Sequence, residues 1–325
     1  MKSHDDVDSN PRTQETTMHD VLVIGAGPAG LQAALTIGRV HRTALVVDSG
    51  EYRNAATAHL HNLIAHDGWD PERLRAAARA DLERYDTVSV LRGRVTSVAG
   101  SSGDFVAELA DGSTRRARRI VLATGVRDEL PDVPGLAQMW GRQVAHCPFC
   151  DGHELSGRRV GVLGASAPHL GHVAALLAPI AADCVLLAGD LEFDEQVLAQ
   201  ASADGARVRG GLVERVAPRG DGLTVHLVDG ETLELDGLFV APAVVQSAPF
   251  AEQLGVELNP SGGVAIDATG RTSVAGVYAA GDSAHHRELP MPMASVAGAI
   301  GSGMVAGAAS VGDLVMQRDP VPSAA

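Results

Sequence analysis

The chain has 325 residues, 45% of them apolar and 20% charged, with a formal net charge of -14. That length allows two domains with ample cores, and an acidic chain without a basic face excludes the phosphate-neutralising surface that nucleic-acid binding requires. No apolar run reaches the roughly 20 residues that span a bilayer and no signal-like segment opens the chain, so the expected setting is the cytoplasm, with no membrane partner.

In chain order, residues 1–18 are polar without periodicity and read as a disordered arm. A predicted strand at 19–24 runs straight into Gly25-Ala26-Gly27-Pro28-Ala29-Gly30, which opens a predicted helix over 31–40. In that context each glycine has a task. Gly25 permits the tight turn, Gly27 lets backbone approach a pyrophosphate, and Gly30 lets helix and strand pack closely. A second apolar strand at 44–47 ends at Asp48, an acid placed to accept from ribose hydroxyls. Strand, glycines, helix, strand and acid together predict dinucleotide binding.

Residues 50–68 (GEYRNAATAHLHNLIAHDG) form a polar, turn-rich segment of the kind that carries function on an α/β scaffold. A helix is predicted over 69–85, with Asp70 as N-cap, Pro71 in the first turn and a solvated charged face. Residues 88–121 alternate as strands with turns at 100–103 and 111–112, ending at Thr124-Gly125 and a linker over 127–135.

Residues 145–153 (AHCPFCDGH) hold Cys147 and Cys150; the only other cysteine is Cys184. A Cys-x-x-Cys pair puts two sulfurs in disulfide reach and can lower a thiol pKa, which predicts redox chemistry. Half of a zinc site using His146 and His153 is the alternative, though the second cysteine cluster that structural zinc requires is missing from the sequence. Incidental structural cysteines are the third reading.

The strand–turn–helix–strand plan then repeats over 159–187, with Cys184 in the core, a hairpin at 229–230 and a strand at 238–241. Here the glycine signature is degraded to G-x-S-x-x-H, with Ser166 and His169 where glycines belong. No Lys or Arg occurs from 160 to 206, and Asp190, Glu192 and Asp194 follow the second strand. This second unit is expected not to use NADPH, while NADH is less excluded. The tail offers a strand ending at Gly281-Asp282, whose carboxylate suits a ribityl chain, and a small-residue helix over 294–309 that must pack closely.

Taken together, the glycine fingerprint, Ala-Thr-Gly, CPFCDG, second glycine turn and Ala-Ala-Gly-Asp resemble the low-molecular-weight thioredoxin reductase family of flavoproteins over residues 19–315. The resemblance implies an α/β fold of two Rossmann-like, three-layer ββα domains. Residues 19–127 plus 246–325 would form a discontinuous FAD domain, and 128–245 a degenerate NAD(P)-like domain carrying the cysteines. It implies FAD on Gly25, Gly27, Ala29, Gly30, Asp48, Asn62, Thr124, Gly125, Gly281 and Asp282, with no metal. Cys150 would face the flavin, Cys147 would exchange with substrate, and Asp151 would move protons. The degraded second glycine turn, and PMPMASVAGA where Arg-Gln-Ala is expected, resemble the dithiol oxidase branch that closes disulfides in small natural products. That branch implies a small-molecule dithiol and O2 as partners, H2O2 as product, a homodimer, and the 285–293 loop as a pocket wall. The alternatives are an NAD(P)H-fed disulfide reductase with thioredoxin as partner, and a flavin-bound redox sensor without turnover.

Overall fold

The structure is a computed structural model that describes residues 17–164, 166–191, 199–201, 203 and 205–316. Residues 1–16 of the arm expected over 1–18, and Glu192 and Asp194, lie outside these described residues, while Met18 already belongs to the first strand.

The first sheet begins with β1 (Met18–Ile24), α1 (Pro28–Gly38) and β2 (Ala44–Asp48), and continues after α2 (Pro71–Leu82) with β3 (Val88–Arg92), β4 (Val95–Ser101), β5 (Asp104–Leu109) and β6 (Thr114–Leu122). Strand order is β3-β2-β1-β6-β5-β4. The β3-β2-β1-β6 half is parallel, while β4, β5 and β6 form an antiparallel meander. Alternate residues face opposite sides, and both sides are buried. Val21, Val23 and Val46 pack under α1, whereas Leu22, Ile24 and Leu45 pack against the meander side with Phe105.

The charged face predicted for α2 is only partly solvated. Asp70 caps it as expected, accepting from the Glu72 and Arg73 backbone N–H groups at 2.7 and 3.0 Å, but Arg75 is 4% exposed. Its guanidinium donates to Asn54 Oδ1 at 2.9 Å and covers the Tyr52 ring, so this helix pins the 50–68 segment.

The predicted linker is in part a strand. β7 (Val126–Glu129) leads through α3 (Leu136–Met139), β8 (Val144–Ala145) and α4 (Pro148–Asp151) into a second parallel sheet. That sheet contains β9 (Arg159–Leu163), β10 (Asp183–Gly189), β11 (Ala206–Gly210) and later β15, in the order β11-β10-β9-β15-β8. One face lies on α5 (Ala167–Leu177), with Cys184 buried among Val160, Leu170 and Leu186. The other lies on an antiparallel layer of β12 (Val213–Arg219), β13 (Gly222–Leu227) and β14 (Thr232–Leu235). This is a second three-layer unit, completed by β15 (Gly237–Val240). β16 (Ala243–Gln246) pairs antiparallel with β7, Asp128 opposite Val244, so the expected boundaries at 127/128 and 245/246 fall inside two paired strands.

The chain then returns to the first sheet. After α6 (Phe250–Gln253) and β17 (Val264–Ile266), β18 (Val277–Ala279) adds to β6 in parallel, shorter than the predicted strand because Gly281–Ser283 turns as a 3-10 helix. β19 (Ala284–His286) pairs β17, and α7 (Val296–Met316) closes the chain. The close packing expected of this helix is present. A Cβ on Gly303 would lie 2.1 Å from the Ala29 carbonyl oxygen, and one on Gly307 2.8 Å from that of Ala33. The expectation of no apolar run near 20 residues is corrected here. α7 is 21 residues and apolar enough, by length and composition, to cross a bilayer; its many Gly, Ala and Ser residues disguise it in the sequence.

Candidate active site

Two clusters of predicted residues form at the edges of these sheets. The first lies at the N-terminus of α1. Gly25 has φ +108°, and a Cβ there would stand 2.3 Å from the Ala123 carbonyl oxygen, so only glycine suits the turn. Gly30 would bring a Cβ to 1.8 Å from the Gly25 carbonyl oxygen, the close helix–strand contact expected of it. Gly27 differs: as N-cap it offers no side chain, no acid sits in the first turn, and nothing lies within 4 Å of its Cβ position. The helix therefore opens with no side-chain cap and with free space over Gly27, which fits a pyrophosphate.

The neighbours converge on the same place. Thr124 N lies 3.2 Å from the Gly25 Cβ position, next to Gly125, and Gly281 packs on Ala29 with its N–H donating to Ser302 Oγ at 3.0 Å. Asp48, 5% exposed, ends β2 beside an open cavity of about 510 Å³. Its carboxylate accepts from Gly50 N–H (2.8 Å), Tyr52 O–H (2.6 Å) and Arg92 (3.2 Å). Three of about four lone-pair sites are taken, leaving one for a ribose hydroxyl. Together these residues fit the adenine-dinucleotide part of FAD.

The second cluster is the cysteine turn. Cys147 caps α4, with Pro148 at its first position, and the Cys150 and Asp151 N–H groups bond back to the Cys147 carbonyl at 3.0 and 3.1 Å. The two Sγ atoms are 2.6 Å apart, both thiols half-buried. Donation from the Cys150 thiol, helped by backbone N–H groups of Cys150 and Phe149, lowers the Cys147 pKa to about 7. The same hydrogen bond, with burial, pushes Cys150 upward. Burial and then the charge of Glu154 raise Asp151 to about 6. One thiol is thus primed as a thiolate, its partner retains its proton, and an acid poised to exchange protons stands next to them. A cavity of about 230 Å³ joins Cys150 and Phe149 to Asn62, which the structure places beside the cysteines with a φ of 60°.

The Cys147 pKa gives a direct expectation. In the reduced protein, alkylation by iodoacetamide should rise with pH through a midpoint near 7 for one thiol only, because the thiolate is the nucleophile. A midpoint above 8.5 for both thiols would remove the electrostatic asymmetry just described.

Arg53 joins the two clusters, and sequence reasoning missed it. Its Nε and Nη2 donate to Asp128 at 2.9 and 2.7 Å, and its Nη1 to Asp282 at 2.8 Å. With burial as the larger cause, its charge also lowers the pKa of His146, which stacks on Trp140. No local pattern marks Arg53: its partners lie 75 and 229 residues away. The loop at 285–293, expected as a pocket wall, lines neither of the two cavities described above. His285 is 4% exposed and bonded to Asn259 and Ser261, and Met293 is 80% exposed.

Comparison with known proteins shows what the chain resembles. The sequence pattern of the pyridine nucleotide-disulphide oxidoreductases matches residues 19–303. The chain is 37% identical over 311 residues to the thioredoxin reductase sirT of Leptosphaeria maculans, spanning 90% of this chain and 93% of that protein. It is 36% identical over 308 residues to the thioredoxin reductase tcpT of Claviceps purpurea, spanning 89% and 92%. A crystal structure of an oxidoreductase from Agrobacterium tumefaciens superposes with a TM-score of 0.86 at 37% identity, covering 93% of this chain and 100% of that one.

Proposed function

The chain belongs to the pyridine nucleotide-disulphide oxidoreductases, in their FAD-dependent, thioredoxin-reductase-like group, and from that membership we propose that it is a dithiol oxidase. It closes a disulfide in a small-molecule dithiol and passes the electrons to oxygen: dithiol plus O2 gives disulfide plus H2O2. FAD, when bound, supplies the two-electron acceptor between the cysteines and oxygen.

The chain's own residues do the rest. With the pair oxidised, a substrate thiolate attacks Cys147 Sγ, the Cys147–Cys150 bond breaks, and Cys150 leaves as a thiolate that takes a proton from Asp151. The second substrate thiol, deprotonated by Asp151, attacks the mixed disulfide, and the cyclic product departs from Cys147. Gly25, Gly27, Gly30, Thr124, Gly125, Gly281 and Asp282 hold the cofactor, with Asp48 at the ribose and Asn62 beside the cysteine pair. A cytoplasmic homodimer belongs to the same proposal.

The observation that carries the oxidase direction is the contrast between the two helix N-termini. α1 opens uncapped onto free space, whereas Ser166 caps α5, its hydroxyl accepting from the His169 N–H at 3.3 Å. A Cβ on Gly164 would already crowd His169 Nδ1 at 2.9 Å. The flanking arginines are engaged too: Arg159 and Arg207 with Asp183 at 3.0 and 2.5 Å, Arg209 with Glu231 and Asp229. The second unit thus offers a poor seat for a pyrophosphate and, among the described residues, no unpaired cation at its strand edge for a 2'-phosphate.

The flavin-loaded protein should consume oxygen with a small dithiol and no nicotinamide, and NADPH should leave the flavin unbleached under anaerobic conditions. Rapid bleaching by NADPH, with no oxygen uptake on dithiol, would reverse the direction of electron flow. That second reading, a reductase acting on a thioredoxin, draws on the names of the relatives.

A further inference from the structure

The cavity at Cys150 is walled on one side by residues of the 61–67 loop, and that loop is strained. Among the described residues three non-glycine residues have positive φ, and two are here, Asn62 at 60° and Ala65 at 68°. Such conformations persist only where the surroundings impose them, and they gather at functional sites. Asp67 imposes this one: its Oδ1 accepts the Asn62 N–H at 2.7 Å, and its Oδ2 lies 3.5 Å from His61 Nδ1. The other ring nitrogen, His61 Nε2, is 3.5 Å from Glu154 Oε1. Glu154 follows Asp151 by three residues, in the 3-10 turn His153–Leu155. The imidazole, with a side-chain exposure of 21%, therefore stands between a carboxylate beside the dithiol site and one that is 66% exposed to water.

A dithiol that closes gives up two electrons and two protons. The electrons and one proton pass to the two-electron acceptor; the other proton has to leave a site where the thiols and Asp151 are half-buried and Glu154 is 46% exposed. We propose that His61 is a positioning residue for proton exit, acting through Asp151: the proton passes from Asp151 by way of Glu154 and His61 to Asp67 and bulk water. Imidazole suits the task because it accepts a proton at one nitrogen and releases one at the other. The groups facing His61 are Asp67, Glu154 and His153 around the cavity, His59 with its ring centre 6.4 Å away, and Asp151 and Cys150 behind them. The inference rests on the assignment of Asp151 as the proton carrier, whichever way electrons flow.

The test mixes flavin-loaded protein anaerobically with excess dithiothreitol in weak buffer containing a pH-indicator dye, following flavin bleaching and proton release together. In the unsubstituted protein the two signals should coincide. In His61→Ala, release should lag by on the order of tenfold and catch up when imidazole is added; His61→Gln should lag equally, without imidazole rescue if the amide fills the space. Coincident signals in both variants, or a lag in His61→Ala that imidazole leaves untouched, would overturn the relay. Failure of dithiothreitol to bleach the unsubstituted protein would remove both relay and dithiol chemistry, whereas absent oxygen uptake with normal proton release would sink the oxidase reading alone.

Discussion

Cys147→Ser is expected to lower dithiol turnover by more than about a thousandfold, the scale on which loss of a nucleophile acts, while flavin content stays normal. Cys147 is expected to be the sulfur that exchanges, because the hydrogen bond from Cys150 lowers its pKa to about 7, and a serine hydroxyl can neither form the disulfide nor leave as a stable anion at neutral pH. Flavin retention is expected because the Gly25–Gly30 turn is built from other elements, β1, β6 and α1. Cys150→Ser should behave differently. Its remaining Cys147 thiolate can attack a linear disulfide probe, whose leaving thiol is not tethered to reclose, and without the Cys150 thiol to resolve it the mixed disulfide should persist and be visible by intact mass. Turnover surviving in Cys147→Ser, or a trapped adduct on Cys150 in that variant, would exchange the roles of the two sulfurs.

Arg53→Met should be the most damaging substitution outside the cysteines. The side chains of Arg53, Asp128 and Asp282 are 16%, 6% and 21% exposed, and methionine of similar length would leave two poorly solvated carboxylates facing each other without a cation. Breaking such a buried pair costs about 3 to 5 kcal/mol, so urea unfolding should shift strongly toward lower denaturant, and flavin retention should fall because Asp282 loses its orientation. Arg53→Lys should lie between Arg53→Met and the unsubstituted protein, because an ammonium restores the charge but cannot span Asp128 and Asp282 with one planar fork. Equal stability of Arg53→Met and unsubstituted protein would mean that water replaces the guanidinium at no cost.

Local chemistry was readable in the sequence, and distant pairing was not. The turn at Gly25–Gly30 was legible because each glycine answers a steric demand a few residues away, as the contacts with Ala123 and with Gly25 itself bear out. The helix cap at Asp70 and the buried Cys184 were legible for the same reason: one residue and its near neighbours decide them. By contrast β7 lay hidden in an apparent linker, since Val-Arg-Asp-Glu becomes a strand only by pairing with residues 243–246. Arg75 was assigned to a solvated helix face because its covering, Asn54 and Tyr52, comes from the loop before the helix. His61, singled out by no motif, acquires its position from a turn that Asp67 closes and from Glu154, 93 positions further along the numbering of the chain.

The join between α1 and α7 has a consequence for biosynthesis. β18 and α7, which leave the ribosome after β6 and α1, occupy a place prepared by those elements 157 residues earlier for β18 (Val277 on Ile120) and 274 earlier for α7 (Gly303 on Ala29). Until they emerge, Ala29 and Ala33 have no lid, and the proposed flavin site lacks Gly281 and Asp282. The second sheet needs no such wait, since its strands all fall between residues 144 and 240. During translation the cysteine-bearing half can therefore condense first, with the cofactor captured only once residues 277–316 have emerged, an order imposed by long-range closure rather than by any local signal.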